Sequence, residues 1–303
     1  MAVTAHRTVY KQPKQAYART LLSHPKVVIK NPSQVLAKLL NILYDGKDKL
    51  HIITDFNMTL TKFWVDGKQN CDSFNVLEAV GVVSPRLTAQ QAQLRREYYR
   101  IESDISLNKA EKETLLTDII KRNNELYVDE KFTKNQLTQV LKDYPIVYRD
   151  GARDLVTLTA LHQIPILVFS AGLGDVVVEL LKSQDMLLPH MHVVSNFMEF
   201  DPLPPNQITG FASPLIHTLN KGTVKLENTP FSDQATERRN VIILGDSLGD
   251  LQMGSTLNHH THITIGILNC NVEVNLAAYS DAFDVVLTND ASLDWLNVLI
   301  SSL

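Results

Sequence analysis

Residues 50–61 read LHIITDFNMTLT, and residues 240–250 read NVIILGDSLGD. Each is a short apolar run that ends on an acid, Asp55 in the first and Asp246 in the second. Aliphatic residues at successive positions over so short a length suit a strand covered on both faces, not an alternating half-exposed one. The same pattern recurs in IPILVFSAG (164–172), HMHVVSNFM (190–198), HITIGIL (262–268) and AFDVVLT (282–288). Between these runs, ARDLVTLTALHQ (152–163) and DVVVELLKSQDM (175–186) carry apolar residues at helical spacing. So does PSQVLAKLLNILYDGKD (32–48), with Ser33 as a candidate N-cap and Gly46 as a stop. Strands alternating with helices predict an α/β fold, a Rossmann-like, doubly wound, mainly parallel sheet. Right-handed crossovers bring the C-terminal ends of such strands to one edge, where ligands bind.

The first strand and the rest of this pattern are separated by a different kind of sequence. RLTAQQAQLRREYYRIESD (86–104) and NKAEKETLLTDIIKRNNELY (108–127) are charged, helix-favouring and apolar every three or four positions. They predict a helical cap inserted over 62–148, with the core domain made of 29–61 and 149–303. Residues 1–28 read as a basic N-terminal extension. No acid precedes Asp45, whereas Arg7, Lys11, Lys14, Arg19, Lys26, Lys30 and Lys38 do. A mitochondrial presequence shares that bias but is richer in Arg and Ser, so a surface tail or helix is the expectation.

The bulk composition narrows the function. The 303 residues are 44% hydrophobic and 20% charged, ordinary for a globular protein. A net charge of −4 gives no global attraction to a nucleic-acid polymer or a membrane surface. No apolar run reaches the roughly 20 residues of a membrane helix. The two cysteines, Cys71 and Cys270, lie far apart. These features lead us to expect a monomeric protein of the reducing cytoplasm. The histidines, among them His51, His217, His259 and His260, lack metal-binding spacing, and His259–His260 are expected in a loop.

Four polar signals fall at predicted strand ends. Asp55 leaves the first strand, Ser170 ends LVFS before Ala171 and Gly172, Lys221 lies in LIHTLNKG, and Asp246 and Asp250 follow VIILG. Singly, each is also compatible with a turn acid, an N-cap serine, an exposed lysine or a capping aspartate. Together they give carboxylates for a hard cation, a lysine to offset charge, and small residues whose amides can approach an anion.

In order and spacing, DxxxT, then S, then K, then GDxxxD resemble the four signatures of the haloacid dehalogenase superfamily. The blocks TDFNMTLTKFWVDGK, YYRIESD, IPILVFSAGLGDV, HVVSNFMEFD, LIHTLNKG and NVIILGDSLGDLQM are closer still to the cytosolic 5′-nucleotidase III family of pyrimidine and 7-methylguanosine-phosphate nucleotidases. The likeness runs from VIKNPSQV (28–35) to near the C-terminus. It implies a Mg²⁺-dependent 5′-nucleotidase acting on a nucleoside 5′-monophosphate. Asp55 would be the nucleophile, and Asp55, the Asn57 carbonyl, Asp246 and Asp250 would surround the metal. Ser170, Ala171, Gly172 and Lys221 would hold the phosphate. By the same likeness Asn75, Glu102 and Asn123 fall where the cap meets the base.

Two departures stand out. Asn57 occupies the place of the family's acid–base Asp, and an amide has no titratable proton near neutral pH. The aromatic pair before the Asn123 position is replaced by Asp118-Ile119-Ile120. Trp64, Tyr98 and Tyr99 could take over the stacking, although core packing is expected for them. Alternatives consistent with these residues are a nucleotide-binding relative with little catalysis, or a phosphatase of another small phosphomonoester.

Overall fold

The computed structural model describes residues 14–226 and 229–303. The apolar runs form the seven-stranded central sheet: β1 (Val27–Val28), β2 (Leu50–Thr54), β3 (Ile166–Leu173), β4 (Met191–Asn196), β5 (Asn240–Gly245), β6 (Thr261–Leu268) and β7 (Val285–Thr288). Their order across the sheet is β1-β7-β6-β5-β2-β3-β4. All neighbours run parallel except β1, which pairs antiparallel with β7. This is the expected doubly wound α/β sheet.

Every residue of β2 and β5 is buried, because helices cover both faces. On one face Ile52, Val168, Leu244 and Ile265 pack with Val35, Leu39, Leu155, Val177 and Leu296. On the other, Ile53, Leu167, Phe169, Val241 and Ile243 pack with Phe231 and Met253. The helix over Pro32–Asp45 is capped by Asn31 with Pro32 in its first turn, so Ser33 is not its N-cap; Pro fits there because the first amides have no partner in the helix. Gly46 ends it at φ 77°, donating its N–H to the Ile42 carbonyl at 2.9 Å.

The N-terminal stretch is less of an appendage than its charge suggests. Residues 14–22 are helical, Ala18 and Leu21 are buried in the main core, and the Leu21 carbonyl accepts from the Trp295 indole at 2.9 Å. Val27–Val28 then joins the sheet edge. Positions Arg7 and Lys11 lie outside the described residues. Removing residues 1–28 would therefore uncover buried apolar surface instead of leaving the core intact.

Within 62–148 lie the helices Asn75–Ala79, Pro85–Ser103, Lys109–Glu130 and Lys134–Leu141. Ser84 caps the second by accepting from the Leu87 amide, and Asn108 and Glu111 form a capping box on the third. The segment after β4, irregular by its sequence, contains an antiparallel hairpin of Met198–Phe200 and Ile208–Phe211. It packs on the third helix, with the Tyr127 and Phe211 rings 6.3 Å apart. Among the described residues, no helix is long and apolar enough to cross a membrane.

The buried histidines make an expected pH dependence. Burial pushes His51 down to about 3, and His190, His217 and His259 to about 4. Each is depressed below the value of 6.5 for the unfolded chain, so on acidification the unfolded state takes up protons first. Stability from these four groups is complete above pH 6.5 and is lost progressively from there down to about pH 4 for three of them and about pH 3 for His51. Asp55, raised to about 6, and Asp246 and Asp175, both held above their ordinary range by burial, work in the opposite sense but are three groups against four. The melting temperature should therefore fall between pH 7 and pH 5; a flat or rising profile in a buffer series would contradict this.

Candidate active site

The strand order places the chemistry. β2 sits between β5 and β3, so Asp55, Asp246 and Ser170 emerge side by side from adjacent strands at one sheet edge. The Asp55 amide donates to the Leu244 carbonyl at 3.0 Å, extending the β2–β5 pairing to Asp55 itself. Gly245 is needed at that crossing: a Cβ there would lie 2.2 Å from the Cβ of Asp250.

Lys221 reaches the same point from the opposite side. Its buried ammonium donates to Asp55 Oδ1 at 2.7 Å and to Asp250 Oδ1 at 2.6 Å. The other oxygen of Asp250 accepts from the Ser247 amide and hydroxyl, both at 2.9 Å. Asp250 is thus fully engaged in orienting Lys221 and the turn. Asp246 is less occupied, accepting only a long 3.4 Å bond from Thr59 among the described side-chain donors.

One oxygen from each of Asp55, Asp246 and Asp250 lies within 4.8 Å of the others. Three carboxylates against one ammonium leave surplus negative charge in a water-poor site. Burial, and then the Asp250 charge, push Asp55 up to about 6 against the pull of Lys221. Burial, Asp250 and Asp55 hold Asp246 well above its ordinary range. Burial disfavours the Lys221 ammonium, but the two carboxylates outweigh it and hold Lys221 above the usual lysine range. An all-oxygen set with surplus charge fits a hard divalent cation such as Mg²⁺. Among the described residues, no hydrogen bond ends on the Asn57 backbone carbonyl, which leaves it available to a cation.

The wall beside these carboxylates is built by the end of β3, which bends after Phe169, where its pairing with β4 shifts register before Leu173. Ser170 is fully buried beneath it and accepts from the Gly172 amide at 3.1 Å, while Ala171 and Gly172 line the cavity. Asn57 faces this bend of β3 through Ser73. Its side-chain oxygen Oδ1 accepts from the Ser73 amide at 2.9 Å, and its side-chain nitrogen Nδ2 donates to the Ser73 hydroxyl at 3.2 Å. That hydroxyl lies where a Cβ on Gly172 would be, 2.1 Å away.

A cavity of about 360 Å³ opens from these residues toward the helices of the insert. Glu102 and Asn123 line it; Asn75 does not. The Asn75 carboxamide instead accepts from Arg95, which does line the cavity. Asn123 accepts from Gln91 at 3.0 Å. Tyr98 and Tyr99 line the wall, together with Phe63, Phe74, Ile119 and Ile120. The expected core packing holds for Tyr98, which is half-buried against Leu94, Ile101, Leu116 and Ile119, but not for Tyr99 or Trp64, which are 59% and 45% exposed. His259 lies in a loop, as expected, paired with His51 at 3.1 Å.

Sequence reasoning missed Arg149. Its fully buried guanidinium donates to the carbonyls of Met58 and Thr59 at 2.6 Å each and of Ala291 at 3.0 Å, and to Asn269 Oδ1 at 2.9 Å. It also pairs with Asp290 at 2.8 Å. It holds the loop that follows Asp55.

Residues 58–303 match the pyrimidine 5′-nucleotidase (UMPH-1) family. The chain belongs to this family. It is a 5′-nucleotidase by descent and a phosphoric monoester hydrolase by class. A 7-methylguanosine phosphate-specific 5′-nucleotidase of Gallus gallus is 35% identical over 280 residues, covering 92% of this chain and 96% of that one. The Homo sapiens protein of the same description is 33% identical over 275 residues, with 90% and 91% covered. The crystal structure of cytosolic 5′-nucleotidase IIIB bound to cytidine superposes on this nucleotidase with a TM-score of 0.83, at 31% identity, covering 93% of this chain and 94% of that one. A phosphoserine phosphohydrolase-like protein from Francisella tularensis, at 17% identity and a TM-score of 0.50, shares the fold alone. The fold is that of the haloacid dehalogenase phosphatases, with helices inserted after the first parallel strand.

Proposed function

We propose that the protein binds a nucleoside 5′-monophosphate of the pyrimidine or 7-methylguanosine type with Mg²⁺, and hydrolyses it slowly through Asp55. The observation that carries this reading is the convergence of Asp55, Lys221, Asp246 and Asp250 on a cavity that Glu102, Tyr98 and Tyr99 also line. A phosphate held at the carboxylates and Lys221 leaves its nucleoside within reach of the residues from the insert. The relatives' printed activity supports the same substrate class.

Mg²⁺, when bound by Asp55, Asp246 and the Asn57 carbonyl, would supply positive charge beside the phosphate. The chain's own residues do the rest. A carboxylate oxygen of Asp55 attacks phosphorus, and the bond from phosphorus to the ester oxygen breaks, leaving an aspartyl-phosphate and a nucleoside oxygen that must gain a proton. Water then attacks phosphorus, the acyl-phosphate bond breaks, and phosphate leaves with the Asp55 carboxylate restored. Lys221 offsets charge throughout, and the Ala171–Gly172 amides face the non-bridging oxygens. The helices of 62–148 close over the site as a cap and exclude water.

Asn57 can neither protonate the leaving oxygen nor activate the water. Its carboxamide is also held by Ser73 on both sides, so it does not turn to offer another group. This favours a second reading, nucleotide binding with little turnover. The test is phosphate release from CMP, UMP, 7-methyl-GMP, ribose 5-phosphate and phosphoserine, beside calorimetric binding of each, with Mg²⁺ and with EDTA. Nucleotide affinity should exceed that of the two smaller phosphomonoesters and fall at least about tenfold in EDTA. Preference for phosphoserine, or affinity indifferent to EDTA, would overturn the reading.

A further inference from the structure

Thr218 lies three residues before Lys221, on the segment that brings the lysine to the carboxylates. Its hydrogen bonds run in one determined direction. The Thr218 hydroxyl donates to Glu102 Oε1 at 2.6 Å, because a carboxylate only accepts. Its proton is then used, so the Tyr98 hydroxyl at 2.8 Å must be the donor to Thr218 Oγ1. The oxygen of Tyr98 is in turn free to accept from the Thr218 amide, 3.2 Å away. The sequence Thr218 N–H to Tyr98, Tyr98 O–H to Thr218, Thr218 O–H to Glu102 closes with every proton placed.

The same residue touches the catalytic turn. A Cβ on Gly249 would lie 2.2 Å from the Thr218 carbonyl, so Thr218 is pressed against the turn that carries Asp250. Its neighbour His217 ties the segment to the other long helix. His217 Nδ1 accepts from the Leu219 amide at 3.2 Å, which leaves the proton on Nε2, 3.2 Å from Thr117 Oγ1. Both long helices of the insert are therefore joined to the core through residues 217 and 218.

We infer that Thr218 is the positioning residue that sets Glu102 for base recognition and links that recognition to the phosphate end. The inference rests on the nucleotide reading above. With Oε1 of Glu102 held by Thr218, the carboxylate presents its second oxygen, charged and acceptor-only, to the cavity. The matching ligand is a base with an N–H donor or a cationic ring. Because Thr218 and Lys221 share one short segment, a base that engages Glu102 stabilises the placement of Lys221.

The test compares the intact chain with Thr218→Val, which keeps the shape and removes the hydroxyl, and Thr218→Ser, which restores it. Calorimetry with Mg²⁺ gives affinities for ribose 5-phosphate and for whichever of CMP and 7-methyl-GMP binds the unmodified protein more tightly. Loss of a hydrogen bond to a charged group should lower the nucleotide-to-ribose-phosphate affinity ratio about tenfold or more in Thr218→Val. Thr218→Ser should return it to within about threefold, on the same scale. A parallel loss for both ligands, or no change in the ratio, overturns the role of Thr218 while leaving the nucleotide reading in place. An unmodified protein that binds ribose 5-phosphate as tightly as either nucleotide overturns both.

Discussion

Asn57→Asp should raise turnover of the preferred nucleotide by about 10²–10⁴-fold, the usual worth of a general acid–base group. The substitution fits the site as it stands. The Ser73 amide already donates to the side-chain oxygen of position 57 at 2.9 Å. The Ser73 hydroxyl now receives a bond from the amide nitrogen at 3.2 Å, and it needs only to rotate its proton to donate to a carboxylate there. The geometry is kept and a titratable group is gained. Two steps should quicken: departure of the nucleoside oxygen, which is a poor leaving group without a proton, and hydrolysis of the aspartyl-phosphate. In the unmodified chain the second step has no base, so acid-quenched protein exposed to labelled nucleotide should retain label on Asp55. Asp55→Asn should abolish both the label and any turnover, with or without the change at position 57. Phosphate release in the four resulting proteins decides the matter. No gain from Asn57→Asp would mean that another group supplies the proton, or that phosphoryl transfer is not the chemistry of this site.

That the departure at Asn57 could be read from the sequence at all reflects where its neighbours lie. Asp55, Ser170 and Asp246 end strands whose apolar residues announce them, and parallel topology then brings strand ends together. The information is local, and the fold supplies the convergence. Lys221, expected at a strand end, has no strand behind it: it opens a short 3-10 turn, Lys221–Thr223, so its position came from order and spacing, not from an apolar run. Other elements carry no local signal. Val27–Val28 is too short to show a period, yet it completes the sheet edge. The basic N-terminal composition masks Ala18 and Leu21, whose burial depends on Trp295 far along the chain. Asn75 was assigned to the base by its place in a family block, but its carboxamide is turned to Arg95. Tyr98 packs on a small core cluster and Tyr99 does not, yet both line the cavity, because helical spacing does not distinguish a core from the wall of a cavity. Ser73 and Thr218 are common polar residues whose meaning lies entirely in what they touch.

Arg149 is the strongest case of a role invisible in sequence, and replacing it should be the most damaging single change outside the carboxylates. It stands in YRDG, at the start of the core's return, with nothing to separate it from an exposed arginine. In the fold its planar group ties the Asp55 loop at Met58 and Thr59 to Ala291, Asn269 and Asp290, more than a hundred residues away. Asn269 doubles one of these ties by donating to the Met58 carbonyl at 2.9 Å. Asp290 passes the connection on, accepting from the amides of Phe63 at 3.0 Å and Trp64 at 3.2 Å. Arg149→Met keeps much of the side chain's length but strands these acceptors and the Asp290 charge. Breaking a buried pair in this way costs about 3–5 kcal/mol. At the usual unfolding entropy per residue, a chain of this length loses roughly 1.6 °C per kcal/mol, so the melting temperature should fall by about 5–8 °C. Arg149→Lys should recover little, because a single ammonium cannot span acceptors set around a planar fork. Nucleotide affinity should fall along with stability, since the loop that loses its support carries both Asp55 and the Asn57 carbonyl. A melting temperature for Arg149→Met within about 2 °C of the unmodified protein, on the same scale, would show that the loop holds itself and that Asp55 is placed by the sheet alone.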